Sequence, residues 1–136
     1  MTDAQKTFHA LVVDDDAMLA SLMRQVLERA GYSAESVTDP REAVRLLHEK
    51  DFDIAFVDVN MPEISGTNLV QRCRSSGLVV PFVLMTGGID DAQRELAFHC
   101  GAVTILHKPL RSQDIIYAAE LVFGTEDPQN SGPARS

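Results

Sequence analysis

Hydrophobic periodicity changes repeatedly and in a fixed order along this chain, and that alternation is its strongest constraint. Short apolar runs of strand length lie at His9–Val13, Tyr32–Val37, Asp53–Val57, Val79–Met85 and Val103–Leu106. Between and after them, apolar residues recur at helical spacing, as in Ala17, Leu19, Leu22, Met23, Val26, Leu27 and Ala30. Stop and start signals fall between the two kinds of segment. Asp16 is placed to cap the first helix and Gly31 to end it. Asp39-Pro40, with Glu42 in the first turn, opens the second. Ser65 begins a helix reaching Arg74, Asp90 one reaching Cys100 before Gly101, and Ser112 caps one reaching Phe123.

Strands that alternate with helices imply a parallel sheet covered on both faces. Right-handed crossovers leave few arrangements, and the flavodoxin-like order 2-1-3-4-5, a doubly wound (βα)5 α/β sandwich, is the expected one. Residues 1–7 and 124–136 lack periodicity and are expected to be flexible tails around one domain, 8–123. The full chain of 136 residues is long enough for that domain to bury its own core.

In such a sheet, ligands bind beyond the carboxyl ends of the strands, where strands 1 and 3 diverge to opposite sides. Strand 1 delivers Asp14 and Asp15 to that edge, strand 3 Asp58, strand 4 Thr86, and strand 5 Lys108 followed by Pro109. Three carboxylates in one place repel each other and call for a cation. Ligands that are all oxygen suit a hard ion, and Mg²⁺ is held by one or two carboxylates plus phosphate and water. Lysine adds a point charge for an anion and threonine a hydroxyl donor. A carboxylate can itself accept a phosphoryl group, a transfer that depends on positioning and charge neutralisation. The site thus reads as a nucleophile, Asp58, with a metal and two stabilisers.

The net charge of −8 argues against direct nucleic-acid binding and against an anionic membrane surface. Met1–His9 has no signal-peptide core, and no run approaches the ~20 apolar residues of a membrane span, so a cytoplasmic protein is expected. Cys73 and Cys100 have no metal-site or disulfide spacing and read as semi-buried thiols. Asp16 reads as a cap rather than a ligand, and His107 as a rim residue. His9, His48 and His99 show no clustering with carboxylates. Met61-Pro62 and Gly66 read as shaping the loop after Asp58.

Four stretches, in this order and spacing, resemble the receiver domain of two-component response regulators, of the kind seen in chemotaxis regulators. They are Leu11-Val12-Val13-Asp14-Asp15, the run from Val57 and Asp58 through Met61-Pro62 to Gly66, Val83-Leu84-Met85-Thr86-Gly87, and His107-Lys108-Pro109-Leu110. The resemblance implies that Asp58 accepts a phosphoryl group from a histidine kinase or histidine phosphotransfer protein. It implies Mg²⁺ held by Asp15, Asp58 and the Asn60 backbone carbonyl, with Asp14 assisting. It also implies that Thr86 and Lys108 contact the phosphoryl group, and that Lys108-Pro109 is a cis peptide.

On that reading the chain is no enzyme in the ordinary sense. It takes part in its own phosphorylation and dephosphorylation, and it signals through a helix 4–strand 5–helix 5 face to a protein partner or a phosphorylation-dependent homodimer. Only about a dozen residues follow the last helix, so no output domain is expected within the chain. Two other readings share the fold. An aspartyl-phosphate phosphatase needs a second acid where Asn60 stands; a non-phosphorylated binding module would not require the full set of five residues. Two positions depart from the family pattern. Ile105 stands where an aromatic residue often swings, and its β-branched side chain is stiff. Gly87-Gly88 follows Thr86, which suggests signalling through backbone movement of that loop.

Overall fold

A computed structural model describes residues 7–124; the two tails expected to be flexible lie outside the described residues, Thr7 and Gly124 apart. Five parallel strands form one sheet in the order β2-β1-β3-β4-β5. They are β1 (His9–Val13), β2 (Ser33–Val37), β3 (Ile54–Asp58), β4 (Phe82–Thr86) and β5 (Ala102–His107). Helices α1 (Ala17–Arg29), α2 (Pro40–Glu49), α3 (Gly66–Ser75), α4 (Asp91–His99) and α5 (Ser112–Phe123) follow the strands in turn. The doubly wound flavodoxin-like arrangement expected from the periodicity is the one observed.

The central strands β3 and β4 are apolar up to their last residues, Asp58 and Thr86, because the sheet is buried on both faces: every residue of the two is buried. Alternate residues feed two separate cores. Ala10, Val12, Ile54, Phe56, Val83 and Met85 face α1 and α5, where Met23, Leu27, Ile115 and Phe123 close the layer. Leu11, Val13, Ala55, Val57 and Leu84 face α2, α3 and α4 through Leu47, Leu69, Cys73 and Ala97. Burying a leucine or phenylalanine completely stabilises by roughly 1.5–3 kcal/mol, and at least twelve large side chains here are fully buried.

Local signals explain most boundaries. Asp16 accepts from the backbone N–H of Met18 and Leu19, and Ser65 from that of Asn68. Asp90 and Gln93 cap α4 reciprocally. Gly31 and Gly101 lie just past helix ends at φ 100° and 93°, conformations that a Cβ would strain.

Three expectations shift. Strand β4 starts at Phe82 rather than Val79, which is 85% exposed. The sheet pairing begins at Pro81, whose carbonyl accepts from Ala55 N–H at 2.9 Å. Ser112 is the first residue of α5 rather than its cap; Arg111 takes the cap position, and its N–H donates to the Asp114 carboxylate at 3.1 Å. A register shift at Phe82/Val83 lets β5 run longer than its apolar run and leaves Val103 without a strand partner. Cys73 is buried and Cys100 half-buried, both free. Among the described residues no helix is long and apolar enough to cross a membrane.

Candidate functional site

Strands β1 and β3 are hydrogen-bonded neighbours, yet the chain leaves β1 into α1 on one face and β3 into α3 on the other. The divergence opens a cleft at their carboxyl ends, and Asp14, Asp15 and Asp58 line it. One carboxylate oxygen from each lies within 4.8 Å of the other two, the only such grouping of three potential ligands among the described residues. Asp14 and Asp58 are buried, and Asp15 is exposed at the mouth.

The two buried carboxylates each accept from a backbone donor. Asp14 Oδ1 accepts from Asp16 N–H at 2.9 Å, and Asp58 Oδ1 from Asn60 N–H at 3.2 Å. Lys108 reaches in from the end of β5. Its Nζ donates to Asp14 Oδ2 at 2.9 Å and lies 3.3 Å from Asp58 Oδ1. The Lys108–Pro109 peptide is cis.

The electrostatics follow from this crowding. Burial, then the negative charge of Asp14, pushes the Asp58 carboxyl up to about 6, with Lys108 and the Asn60 N–H opposing. Burial alone lowers the Lys108 ammonium. The hydrogen bond and charge of Asp14, with the charge of Asp58, outweigh that effect, and its net shift is upward. Two buried carboxylates share one lysine, so the cluster has negative charge to spare and only oxygen donors. That donor set fits a hard divalent cation such as Mg²⁺.

Thr86 is buried at the end of β4 beside this cluster, but its hydrogen bonds lead elsewhere. Its hydroxyl donates to the Gly88 carbonyl at 2.7 Å and accepts from Gly88 N–H at 2.9 Å. The Asn60 side chain is 3.2 Å from the same oxygen. Sequence reasoning assigned Asn60 only a backbone role; its position two residues past Asp58 was the available signal for more. Gly66 proves closer to the site than expected. A Cβ there would lie 2.3 Å from the Asp58 carbonyl oxygen, so α3 can begin against the end of β3 only without a side chain. Met61 is buried in the core under the loop, and Glu63 takes a positive φ of 74° within it.

The remaining candidates sort by place. Ile105 is buried in the α2–α4 layer, and His107 is exposed on the rim. His9 departs from expectation: its Nε2 lies 2.9 Å from Glu35, which also accepts from Lys50. This contact is at the opposite end of the sheet and forms no grouping of three ligands. A concavity of about 330 Å³ opens among Leu47, Phe52, Val79 and Val122 at that opposite end.

A doubly wound α/β sheet with an acidic, lysine-bridged cleft at its switch point defines the class of this protein. The family model for the response regulator receiver domain matches residues 10–120. The chain belongs to that family. It is 30% identical over 128 residues to transcription factor SKN7 of Candida albicans, covering 93% of this chain and 23% of that protein. It is also 30% identical over 108 residues to the response regulator SaeR of Staphylococcus epidermidis, covering 79% of this chain and 47% of that one. The chain therefore spans less than half the length of these curated relatives. Among solved structures, a CheY-like receiver domain from Methanospirillum hungatei superposes with a TM-score of 0.82 at 23% identity, over 89% of this chain and 98% of that one. The chemotaxis protein CheY4 of Vibrio cholerae gives 0.80 at 26%, over 86% and 99%.

Proposed function

We propose that this receiver domain accepts a phosphoryl group on Asp58 from a histidine kinase or histidine phosphotransfer protein and changes its protein contacts as a result. One observation carries the reading: Asp14, Asp15 and Asp58 converge within 4.8 Å, with Lys108 bridging two of them. Asp15, Asp58 and the Asn60 carbonyl would hold Mg²⁺, with Asp14 assisting. When bound, the ion would neutralise charge on the phosphoryl oxygens.

The chain's own groups do the rest. An oxygen of Asp58 bonds to phosphorus as the phosphorus–nitrogen bond of the donor's phosphohistidine breaks, and the electron pair leaves with the imidazole. Asp58 must be ionised to attack. With its carboxyl at about 6 even without a cation, it is largely so at neutral pH. Lys108 neutralises the arriving anion, and Thr86 donates to one of its oxygens. No residue acts as a general acid, because Asn60 cannot supply a proton, which separates this site from aspartyl-phosphate phosphatases.

Exposed apolar side chains, Phe98 on α4, Val103 on β5 and Tyr117 on α5, make that face the expected contact for a downstream protein or a second copy. A cytoplasmic location accords with such partners. Incubation with Mg²⁺ and acetyl phosphate followed by intact mass tests the assignment. A phosphoryl adduct that Asp58→Asn abolishes supports it. Absence of an adduct at every Mg²⁺ concentration favours a non-phosphorylated binding module.

A further inference from the structure

Helices α2 and α3 lie side by side on one face of the sheet, and a groove runs between them. One concavity of about 270 Å³ has Pro40 and Val44 of α2 and Ile64 of the β3–α3 loop as its floor. A second, of about 440 Å³, shares Ile64 and continues along α3 to Ser75. Helix α3 has 10 residues, so the groove beside it is about 15 Å long, close to three helical turns.

Val44 and Ile64 pack on the core beneath them yet stay half-buried, so each keeps apolar surface for a partner to cover. The backbone groups inside a helix are already hydrogen-bonded, so the groove cannot take on an added strand. An occupant has to be read by side chains. An amphipathic helix lying in the groove is the recognition mode that does this.

The charges around the floor decide what kind of helix fits. Arg41, Glu63 and Arg72 line the first concavity, two cations to one anion. In a chain that carries −8 overall, this is a local excess of positive charge. Arg41 faces Asp39 at 3.4 Å and Glu63 at 3.9 Å, so Glu63 is matched from within. Arg72 is exposed, and its guanidinium has no hydrogen bond or ion pair among the described residues. Arg74, two positions on, behaves differently. It donates to the carbonyls of Leu78, Val80 and Cys100, which ties α3 to the end of α4. Arg72 thus offers a full fork of N–H donors with no acceptor, beside unfilled apolar surface. A carboxylate meets such a fork in two parallel hydrogen bonds, whereas a basic side chain would meet two guanidiniums.

We propose that the α2–α3 groove docks an acidic amphipathic helix of a partner protein. The apolar stripe of that helix covers Val44 and Ile64, and a carboxylate on its flank pairs with Arg72. Arg41 adds positive charge at the opposite wall. The groove belongs neither to α1 nor to the α4–β5–α5 face, so its occupant leaves both open. The proposal stands apart from the reading of Asp58, and its test uses no phosphoryl group.

Two synthetic peptides of about 18 residues, long enough to hold a helix, serve as probes. Both carry leucine at i, i+3, i+4 and i+7 spacing. One has glutamate on the flanks of that stripe, and its twin has lysine in the same places. The ¹⁵N-labelled full chain is titrated with each, and its amide NMR signals report where the probe sits. The glutamate probe is expected to move the signals of Val44, Ile64 and Arg72 and to leave those of Leu22 on α1 and Tyr117 on α5 in place. The lysine twin binds there about tenfold more weakly or worse. Arg72→Glu weakens the glutamate probe by about tenfold or more, the scale of one hydrogen bond between charged groups, and strengthens the lysine twin. Arg72→Gln falls between. Since the Arg72 side chain holds no partner within the fold, both variants keep the wild-type spectrum in α1 and α5, and the weakening is read on a folded protein. A lysine twin that binds as tightly as the glutamate probe overturns the proposal. So does a glutamate probe that seats on α1 or α5 instead, or a groove whose signals move with neither peptide.

Discussion

Replacing Asp58 with asparagine is expected to stabilise the metal-free protein at neutral pH. The carboxyl is raised from 3.8 to about 6 by its burial and by Asp14. Folding thus strengthens proton binding, and a carboxylate so shifted destabilises the fold wherever it is ionised. The cost is complete above pH ~6, shrinks as pH falls toward ~4, and is gone below the unfolded value. A shift of roughly two units corresponds to about 3 kcal/mol. That figure already nets the pull of Lys108, 3.3 Å away, against burial and the charge of Asp14. The measurement is urea unfolding in EDTA near pH 7.5 and near pH 4, comparing wild type with Asp58→Asn. A gain of about 1–3 kcal/mol near pH 7.5 that fades near pH 4 is the expected outcome. A variant no more stable than wild type near pH 7.5 would refute the claim that crowded carboxylates strain this cleft.

Other perturbations probe the same design. Mg²⁺ at about ten times its dissociation constant should stabilise the wild type by about 1.4 kcal/mol. Removing Asp15, the exposed member of the trio, should abolish that gain in thermal unfolding. Gly66→Ala would place a Cβ 2.3 Å from the Asp58 carbonyl oxygen. It should cost about 2 kcal/mol or more in urea unfolding and weaken Mg²⁺ binding, because the backbone carrying Asp58 has to move. Ser65→Ala removes the side-chain acceptor for Asn68 N–H. It should cost about 1 kcal/mol and leave Mg²⁺ affinity nearly unchanged.

Sequence alone determined the framework of this protein, because alternating period, caps and apolar strands are local properties with few global solutions. The order of the sheet followed, and with it the meeting of Asp14, Asp15, Asp58, Thr86 and Lys108 at one edge, since strand ends are fixed once the topology is. Errors fell where local pattern is silent about pairing. Val79 and Val80 look like strand, but a sheet partner is needed to make them so, and pairing starts only at Pro81. His9 meets Glu35 because β1 and β2 lie in register, a contact between residues far apart in the chain. Nothing in the linear pattern marks Arg74 as the tie between α3 and α4, or directs the Thr86 proton to Gly88 rather than to the acidic cleft. Hydrogen-bond partners are chosen by distances of tenths of an ångström, and only the packed tertiary structure sets those.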